Sequence, residues 1–389
     1  MSVLIPLFVL LAQAPAPEKV AIPGTSLSFE TVAVPGTPGK VAPFKIGTHE
    51  VTWAEFNAYF ESKDMTAGLD AVTRPTRAIA FFGQVGVPSD FLDPKRPVTN
   101  VRWHGAIGYC DWLSKKTGGY WRLPTESEWE LAARAGDTGA APASMDDVAW
   151  HKGNSQERTH NGGEKKPNAF GIYDMIGNLW EYCLEFEKGS EFAPVVKGGC
   201  WSSPPGELTY ASRHGIPLAW FEQDPNRPRS VWWLTNKDQS QGYRVVCVAD
   251  AADQKERAAA AAKIEVKIAS SKEKVIKTES SQAFFAEVNG EIRNGGDKPL
   301  DEVEVLVYYL DPKGKPHMVD VAGANKPGQA TFSLTWPVLG SSAFPAARPP
   351  LKPGESRKFT IDIPQTFDND PDVDPEKFGG RATNVRFSK

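Results

Sequence analysis

Cysteine is scarce in this chain of 389 residues: there are four, Cys110, Cys183, Cys200 and Cys247, and all lie before residue 250. Thiols so few and so widely spaced exclude a small disulfide-dense scaffold and a Cys-x-x-Cys metal knuckle. Histidine is little better represented. The six, His49, His104, His151, His160, His214 and His317, show no HxxxHxE spacing or comparable ligand cluster, so a histidine-rich iron or zinc centre is not expected. Long apolar runs are missing too: the run from Val3 to Ala12 is too short to cross a bilayer as a helix. Basic surplus is absent. With a formal net charge of -4 and Lys and Arg scattered along the chain, no electrostatic footprint for nucleic acid exists.

The length points to two domains, and the residue distribution shows where they meet. Eleven of the twelve tryptophans precede residue 250, and the remainder is lysine-rich. The segment "ADAADQKERAAAAAK" (249–263) has helix-forming alanines and charges without an apolar stripe, which reads as an Ala-rich linker over 251–263 or a solvated helix. At the start, "MSVLIPLFVLLAQAPAPEKV" joins the apolar run to Ala12-Gln13-Ala14, a small-x-small cleavage pattern. Residues 1–16 are therefore expected to be a signal peptide, with a buried first strand as the other reading, and a periplasmic or secreted location follows from the first.

Three helices announce themselves in the first domain, 20–250. "EVTWAEFNAYF" carries the capping box Thr52-x-x-Glu55 and puts Trp53, Phe56 and Phe60 on one face. "WHGAIGYCDWLSKKTGG" repeats apolar residues at helical spacing and ends in glycines, and "LPTESEWELAARAG" has the box Thr125-x-x-Glu128. Beyond 263, "KIEVKIASS" and "LDEVEVLVYYLD" alternate with period two between Gly, Pro, Asn and Asp turns, the pattern of antiparallel strands. Residues 264–389 resemble a small Ig-like β-sandwich of the FxLYD type, a module that binds or spaces.

The ordered set "EVTWAEFNAYF", "RPVTNVRWHGAIGYCDWLSKKTGGYWRLPTESEWELAARAG", "KPNAFGIYDMIGNLWEYCLE", "VVKGGCWSS" and "GYRVV" resembles the formylglycine-generating enzyme family, also called the sulfatase-modifying factor domain. The resemblance implies an irregular C-type lectin-like variant of an α+β fold, with few regular elements and long ordered loops, followed by the all-β Ig-like sandwich. It leaves the chemistry open, because the fold serves copper-dependent oxidases, iron-dependent enzymes and ligand-binding proteins. In the oxidases a cysteine stands at the position of Ser203 and a second five residues later, together holding copper(I), for which soft thiolates are suited. A hydroxyl cannot replace a thiolate there, so copper is not expected, and the histidine spacing speaks against the iron of the iron-dependent relatives. Catalytic candidates reduce to Cys200, Cys183 and Ser203, all weak. Cys183 and Cys200 are expected to be neighbours, as buried thiols or as a disulfide.

Two further expectations come from the same resemblance. The family's "YDMIGNLWE" turn implies a structural calcium held by Asp174, the carbonyls of Gly177 and Leu179, and Glu181; the other reading is that Asp174 caps the turn and Glu181 is a buried, hydrogen-bonded carboxylate. A second calcium loop would begin at Asn154 and Ser155, but its later part is shortened here. A disulfide between Cys110 and Cys247 is also implied. From the residues themselves, the stretch between Trp201 and Gln241 interleaves Trp201, Tyr210, Trp220, Trp232 and Trp233 with Arg213, His214, Arg227 and Arg229. Aromatics beside arginines are enriched where proteins recognise partners, so this face is expected to bind a protein or glycan, although about half of its aromatics should be needed for packing. A non-catalytic binding or assembly protein is the expectation; a divergent oxidase or metal-dependent enzyme of the same family is the alternative.

Overall fold

A computed structural model of the protein describes residues 16–38, 40–62, 93–101, 103–186, 194–216, 240–277, 282–309, 336–337, 351–364 and 378–387. The chain is mixed α+β, mostly sheet with few helices. The first part begins with strands β1 (Glu18–Ala21), β2 (Ser28–Val34) and β3 (Phe44–Gly47). Helix α1 (Trp53–Phe60) follows, then α2 (Trp103–Thr117), β4 (Tyr120–Arg122) and α3 (Glu126–Arg134). Both capping boxes form. Thr52 Oγ1 accepts from Glu55 N and Thr125 Oγ1 from Glu128 N, while each glutamate accepts from the backbone N–H of its threonine, so two orphan donors are satisfied at each helix start.

Strands β5 (Trp180–Phe186), β6 (Pro194–Lys197), β7 (Arg213–Gly215) and β8 (Gln241–Gly242) make a four-stranded sheet in the order β7-β6-β5-β8, with β5 and β8 parallel. Strand β9 (Val246–Ala249) returns to the first sheet, whose order is β1-β2-β3-β9-β4. It sits between β3 and β4, pairing Cys247 with both Lys45 and Trp121. Two apolar cores hold these layers. One gathers Trp53, Trp103, Trp112 and Trp121 around α1 and α2, and the other packs Trp129 with Ile172, Met175, Ile176 and Leu208. The skew of tryptophan toward this half of the chain is thus a core composition, since buried aromatics carry large apolar area.

Asp250 caps helix α4 (Ala251–Ala261), accepting from Ala252 N and Asp253 N. The alanine-rich segment is a mostly exposed helix, with Gln254 and Arg257 half-buried and Ala261 buried at its end. It is tied to both sides: Arg257 donates to Val248 O at 3.0 Å, and Glu256 pairs with Lys298 at 2.6 Å. Beyond it come two three-stranded antiparallel sheets. One contains β10 (Ile264–Lys277), β11 (Gln282–Asn294) and β14 (Ser356–Pro364); the other contains β12 (Leu300–Tyr309), β13 (Trp336–Pro337) and β15 (Phe378–Phe387). Val288, Ile292 and Phe359 of the first share a core with Val303, Val305 and Val385 of the second, which is what period-two alternation produces when two sheets bury one face each.

Two expectations about cysteine need correction. All four are free and buried. Cys110 and Cys247 lie in the same core but form no bridge: the Cys247 thiol donates to Ala249 O at 3.2 Å and packs over Gly119. Cys183 and Cys200 are not opposite each other either. The β5–β6 ladder pairs Glu181 with Lys197 and Tyr182 with Val196, so Cys183 lies farther down the hairpin while Cys200 lies beyond its other end. Among the described residues, no helix is long and apolar enough to cross a membrane. Residues 1–15, within the expected signal peptide, are outside the described residues.

Candidate functional site

The segment from Tyr173 to Glu181, the Gly198–Ser203 turn and the strand-like run Gln241–Val246 meet at one place, and the glycines make it possible. Gly177 has φ of 79°, and a Cβ there would stand 2.2 Å from Trp150 O; Gly198 has φ of 92°, and a Cβ would stand 2.6 Å from Met175 O. Neither position can accept a side chain without backbone movement. The turn is thereby pressed against the chain on two sides.

Arg244 and Glu181 are the centre of this region, both fully buried. The guanidinium meets the carboxylate through two bonds, NH2 to Oε1 at 2.5 Å and Nε to Oε2 at 2.6 Å. Trp129 Nε1 donates to Glu181 Oε2 at 2.8 Å. The rest of the guanidinium donates to Gly47 O (3.1 Å), Thr48 O (3.4 Å) and Tyr173 O (3.0 Å). Burial alone would lower the arginine's pKa, but Glu181 beside it holds the value above the ordinary one. Two more carboxylates are buried nearby. Burial, then the neighbouring Asp174 and Glu181, push Glu50 well up, and burial pushes Asp174 up to about 6.

This arrangement tests the calcium ligands implied by the family resemblance. Glu181 is the buried, hydrogen-bonded carboxylate of the other reading: Oε2 accepts from Arg244 and Trp129 and Oε1 from Arg244, which leaves Oε1 one lone pair. Asp174 does fit, since its Oδ2 accepts from Gly163 N while its buried Oδ1 has no partner. Asn154 and Ser155, at the start of the second loop, are also engaged: Asn154 Oδ1 accepts from His151 N, and Ser155 Oγ donates to Trp201 O. Among the described residues no group of three or more His, Cys, Asp or Glu side chains stands where it could hold a metal.

The catalytic candidates are close to one another only in part. Cys200 Sγ lies 3.2 Å from Ser202 Oγ and 3.4 Å from Ser203 Oγ, and Cys200 N donates to Ser203 Oγ. The position five residues after Ser203 is Leu208, buried in the core with its side chain against Gly199. A hydroxyl and a hydrocarbon do not fit copper(I). The other thiols are poor nucleophiles: burial pushes Cys110 and Cys183 well up and Cys247 up to about 11, so each is protonated at neutral pH.

Of the expected binding face, Trp220, Arg227, Arg229, Trp232 and Trp233 lie outside the described residues. The four that are described are held in place by the fold. Tyr210 is buried: its hydroxyl donates to Asp137 at 2.9 Å, and its ring lies under Arg134. Arg213 is exposed and grips Glu126 through two bonds. His214 stands edge-on to Trp180, and Trp201 is half-buried. Tyr210 is thus a packing residue and not a platform. Sequence reasoning missed Arg244, Glu50, Asn178 and Trp129. Arg244 had a signal in the "GYRVV" motif and Glu50 in "EVTWAEFNAYF", of which it is the first residue.

A model of the sulfatase-modifying factor enzyme 1-like domain matches residues 7–223, more than half of the chain. The chain belongs to the sulfatase-modifying factor family. Relatives of this sulfatase-modifying factor domain differ in what they are named for. The chain is 34% identical over 193 residues to "Serine/threonine-protein kinase pkn1" of Chlamydia pneumoniae, covering 44% of this chain and 30% of that protein. It is 34% identical over 110 residues to the "Formylglycine-generating enzyme" of Thermomonospora curvata, covering 24% and 34%. It is 26% identical over 241 residues to the "Inactive C-alpha-formylglycine-generating enzyme 2" of Mus musculus, covering 49% and 76%. The chain therefore spans only about a third of the first two relatives. Among solved structures, Treponema denticola variable protein 1 is 22% identical, with a TM-score of 0.43, covering 60% of this chain and 99% of that one.

Proposed function

We propose that the protein is a non-catalytic member of its family, acting in binding or assembly outside the cytoplasm. The observation that carries this reading is the pair Ser203 and Leu208, oxygen and hydrocarbon where the oxidases of the family need two thiolates. That one relative is named an inactive enzyme supports it. The C-terminal pair of sheets is taken as an Ig-like sandwich that spaces or docks the first domain. The face from Trp201 to Gln241 is the contact surface, with Arg213 and half-buried Trp201 at its described edge, and a protein chain or glycan as its ligand. A structural calcium at the 174–181 turn belongs to the same reading, with Asp174 and the carbonyls of Gly177 and Leu179 among its oxygens.

The experiment is a peptide-oxidation assay on purified full-length protein with and without added copper(I). No aldehyde should form on a sulfatase-type cysteine peptide. The second reading, a divergent oxidase, rests on the contact of Cys200 Sγ with two hydroxyls; copper-dependent aldehyde formation that disappears in Cys200→Ser would establish it and overturn the first.

A further inference from the structure

The junction between the first domain and the C-terminal sheets has no hinge residue. From Tyr243 to Asn289 there is neither glycine nor proline. The elements follow almost without a break: β9 ends at Ala249, Asp250 is the cap, α4 runs from Ala251 to Ala261, and β10 begins at Ile264. Ala262, at the far cap, stays in the helical region with φ of -62° and ψ of -17°. Alanine is the best helix former, and Gln, Lys, Glu and Arg follow it closely, so the composition of α4 favours a stiff segment over a coil. Yet a helix of 11 residues is too short to hold in water alone. What keeps it folded lies at its ends.

At the near end Asp250 accepts from the backbone N–H groups of Ala252 and Asp253. Arg257 reaches back to Val248 O of β9 at 3.0 Å, and Ala251 packs on Gly118, where an added Cβ would stand 3.3 Å from the alanine methyl. At the far end Ala261 is buried in the core that the two C-terminal sheets share, with Ala260 packed against it. Lys263 O is pressed against Gly295, where an added Cβ would collide with that oxygen. Gly295 belongs to a turn fixed by fully buried Asn294, whose Nδ2 donates to Lys298 O and to Leu351 O. The Glu256–Lys298 pair lands on the same turn, but both partners are exposed and such a pair adds little energy. The far anchor is therefore the buried alanine and the backbone wedge.

We infer that α4 is a rigid strut that locks the first domain and the C-terminal sheets into one body, at a fixed distance and a fixed angle about the helix axis. The inference goes beyond the spacing role proposed above and holds whatever the first domain binds. Because the helix is too short to stand alone, each end depends on the other, and loosening one loosens both. The angle is as closely defined as the length. Each helical residue adds about 1.5 Å and about 100°, so one residue more or fewer would swing the C-terminal sheets around the first domain by more than a quarter-turn.

The test reads the breadth of a distance and not its mean, because 11 residues span about 17 Å as a helix and about 17 to 20 Å on average as a flexible coil. Nitroxides on Lys19→Cys in β1 and Lys358→Cys in β14, both exposed positions, are measured in the full-length protein by double electron–electron resonance; the native thiols are buried and stay unlabelled. The distribution should be no wider than that of a Lys19→Cys, Lys152→Cys pair within the first domain. Replacing residues 254–260 by a glycine–serine sequence should widen it at least about twofold, while tryptophan fluorescence, which reports the first domain, stays native. Gly295→Ala drives the far end off its turn and should speed amide exchange at Lys255 and Glu256 at least about threefold. A junction as broad in the native chain as in the glycine–serine variant would overturn the strut. A distribution that stays narrow in that variant would overturn it too, since direct contact between the domains would then fix them, and unchanged exchange in Gly295→Ala would overturn the dependence of one end on the other.

Discussion

Replacing Arg244 by methionine should be among the most damaging single changes in the first domain. The side chain is fully buried and makes bonds to Glu181 and to three backbone carbonyls, Gly47, Thr48 and Tyr173. Removing one partner of a buried ion pair leaves an uncompensated charge and costs about 3 to 5 kcal/mol. The abandoned carbonyls add to this, each about 1 kcal/mol at most once partial relaxation is allowed, so a total near 5 kcal/mol is expected. Against a typical domain stability of about 5 to 15 kcal/mol, that leaves a marginal or unfolded protein. Equilibrium urea unfolding followed by tryptophan fluorescence measures it. Arg244→Met combined with Glu181→Leu should recover at least about 2 kcal/mol, because an apolar pair no longer buries a lone charge. If Arg244→Met alone shifts stability by under about 1 kcal/mol, the pair is not the internal tie described here.

Other perturbations test other links. Thr125→Ala removes the acceptor of Glu128 N and should cost about 1 kcal/mol in the same assay. Gly177→Ala places a methyl against Trp150 O at a φ of 79°, and should cost more, about 2 kcal/mol or above, where a surface Gly→Ala change would be neutral. His49, whose burial holds its pKa at about 4, stays neutral in the fold while the unfolded chain protonates near 6.5; the native state then binds fewer protons, so this contribution to stability is lost as pH falls from about 6.5 toward 4. At pH 5 the loss is about 2 kcal/mol. It is read as the difference between wild type and His49→Phe at pH 7 and pH 5, so that the opposite contribution of Asp174 cancels, and an equal pH response of the two proteins would refute it.

What could be read from the sequence was local. The capping boxes at Thr52 and Thr125 need only four consecutive residues, and both form as their spacing implies. The period-two pattern of β10 and β12 likewise needs no knowledge of the partner strand. The tie between Arg244 and Glu181 joins residues 63 apart and reaches back 197 to Gly47, and nothing in a window of sequence connects them. Tyr210 looked like an exposed aromatic because it stands among polar residues, yet Asp137 and Arg134, far away in sequence, enclose it. Cys183 and Cys200 were separated by register, since which residues face each other in a ladder depends on the pairing and its irregularities. The reading of Glu181 as a buried, hydrogen-bonded carboxylate named no partner, because that partner, Arg244, lies 63 residues further on.

The placement of β9 has a consequence for how the protein is made. It is the last strand before helix α4 and lies in the middle of the five-stranded sheet, between β3 and β4; Arg244 comes just before it. A ribosome that has delivered residues 1–240 has released two half-sheets with open edges and, in Glu50, Asp174 and Glu181, three carboxylates that the finished fold buries around a guanidinium not yet made. The domain cannot close until its final ten residues emerge, so the growing chain must wait, exposed, for most of its synthesis. A fragment ending at residue 223, where the family match stops, lacks β8, β9 and Arg244.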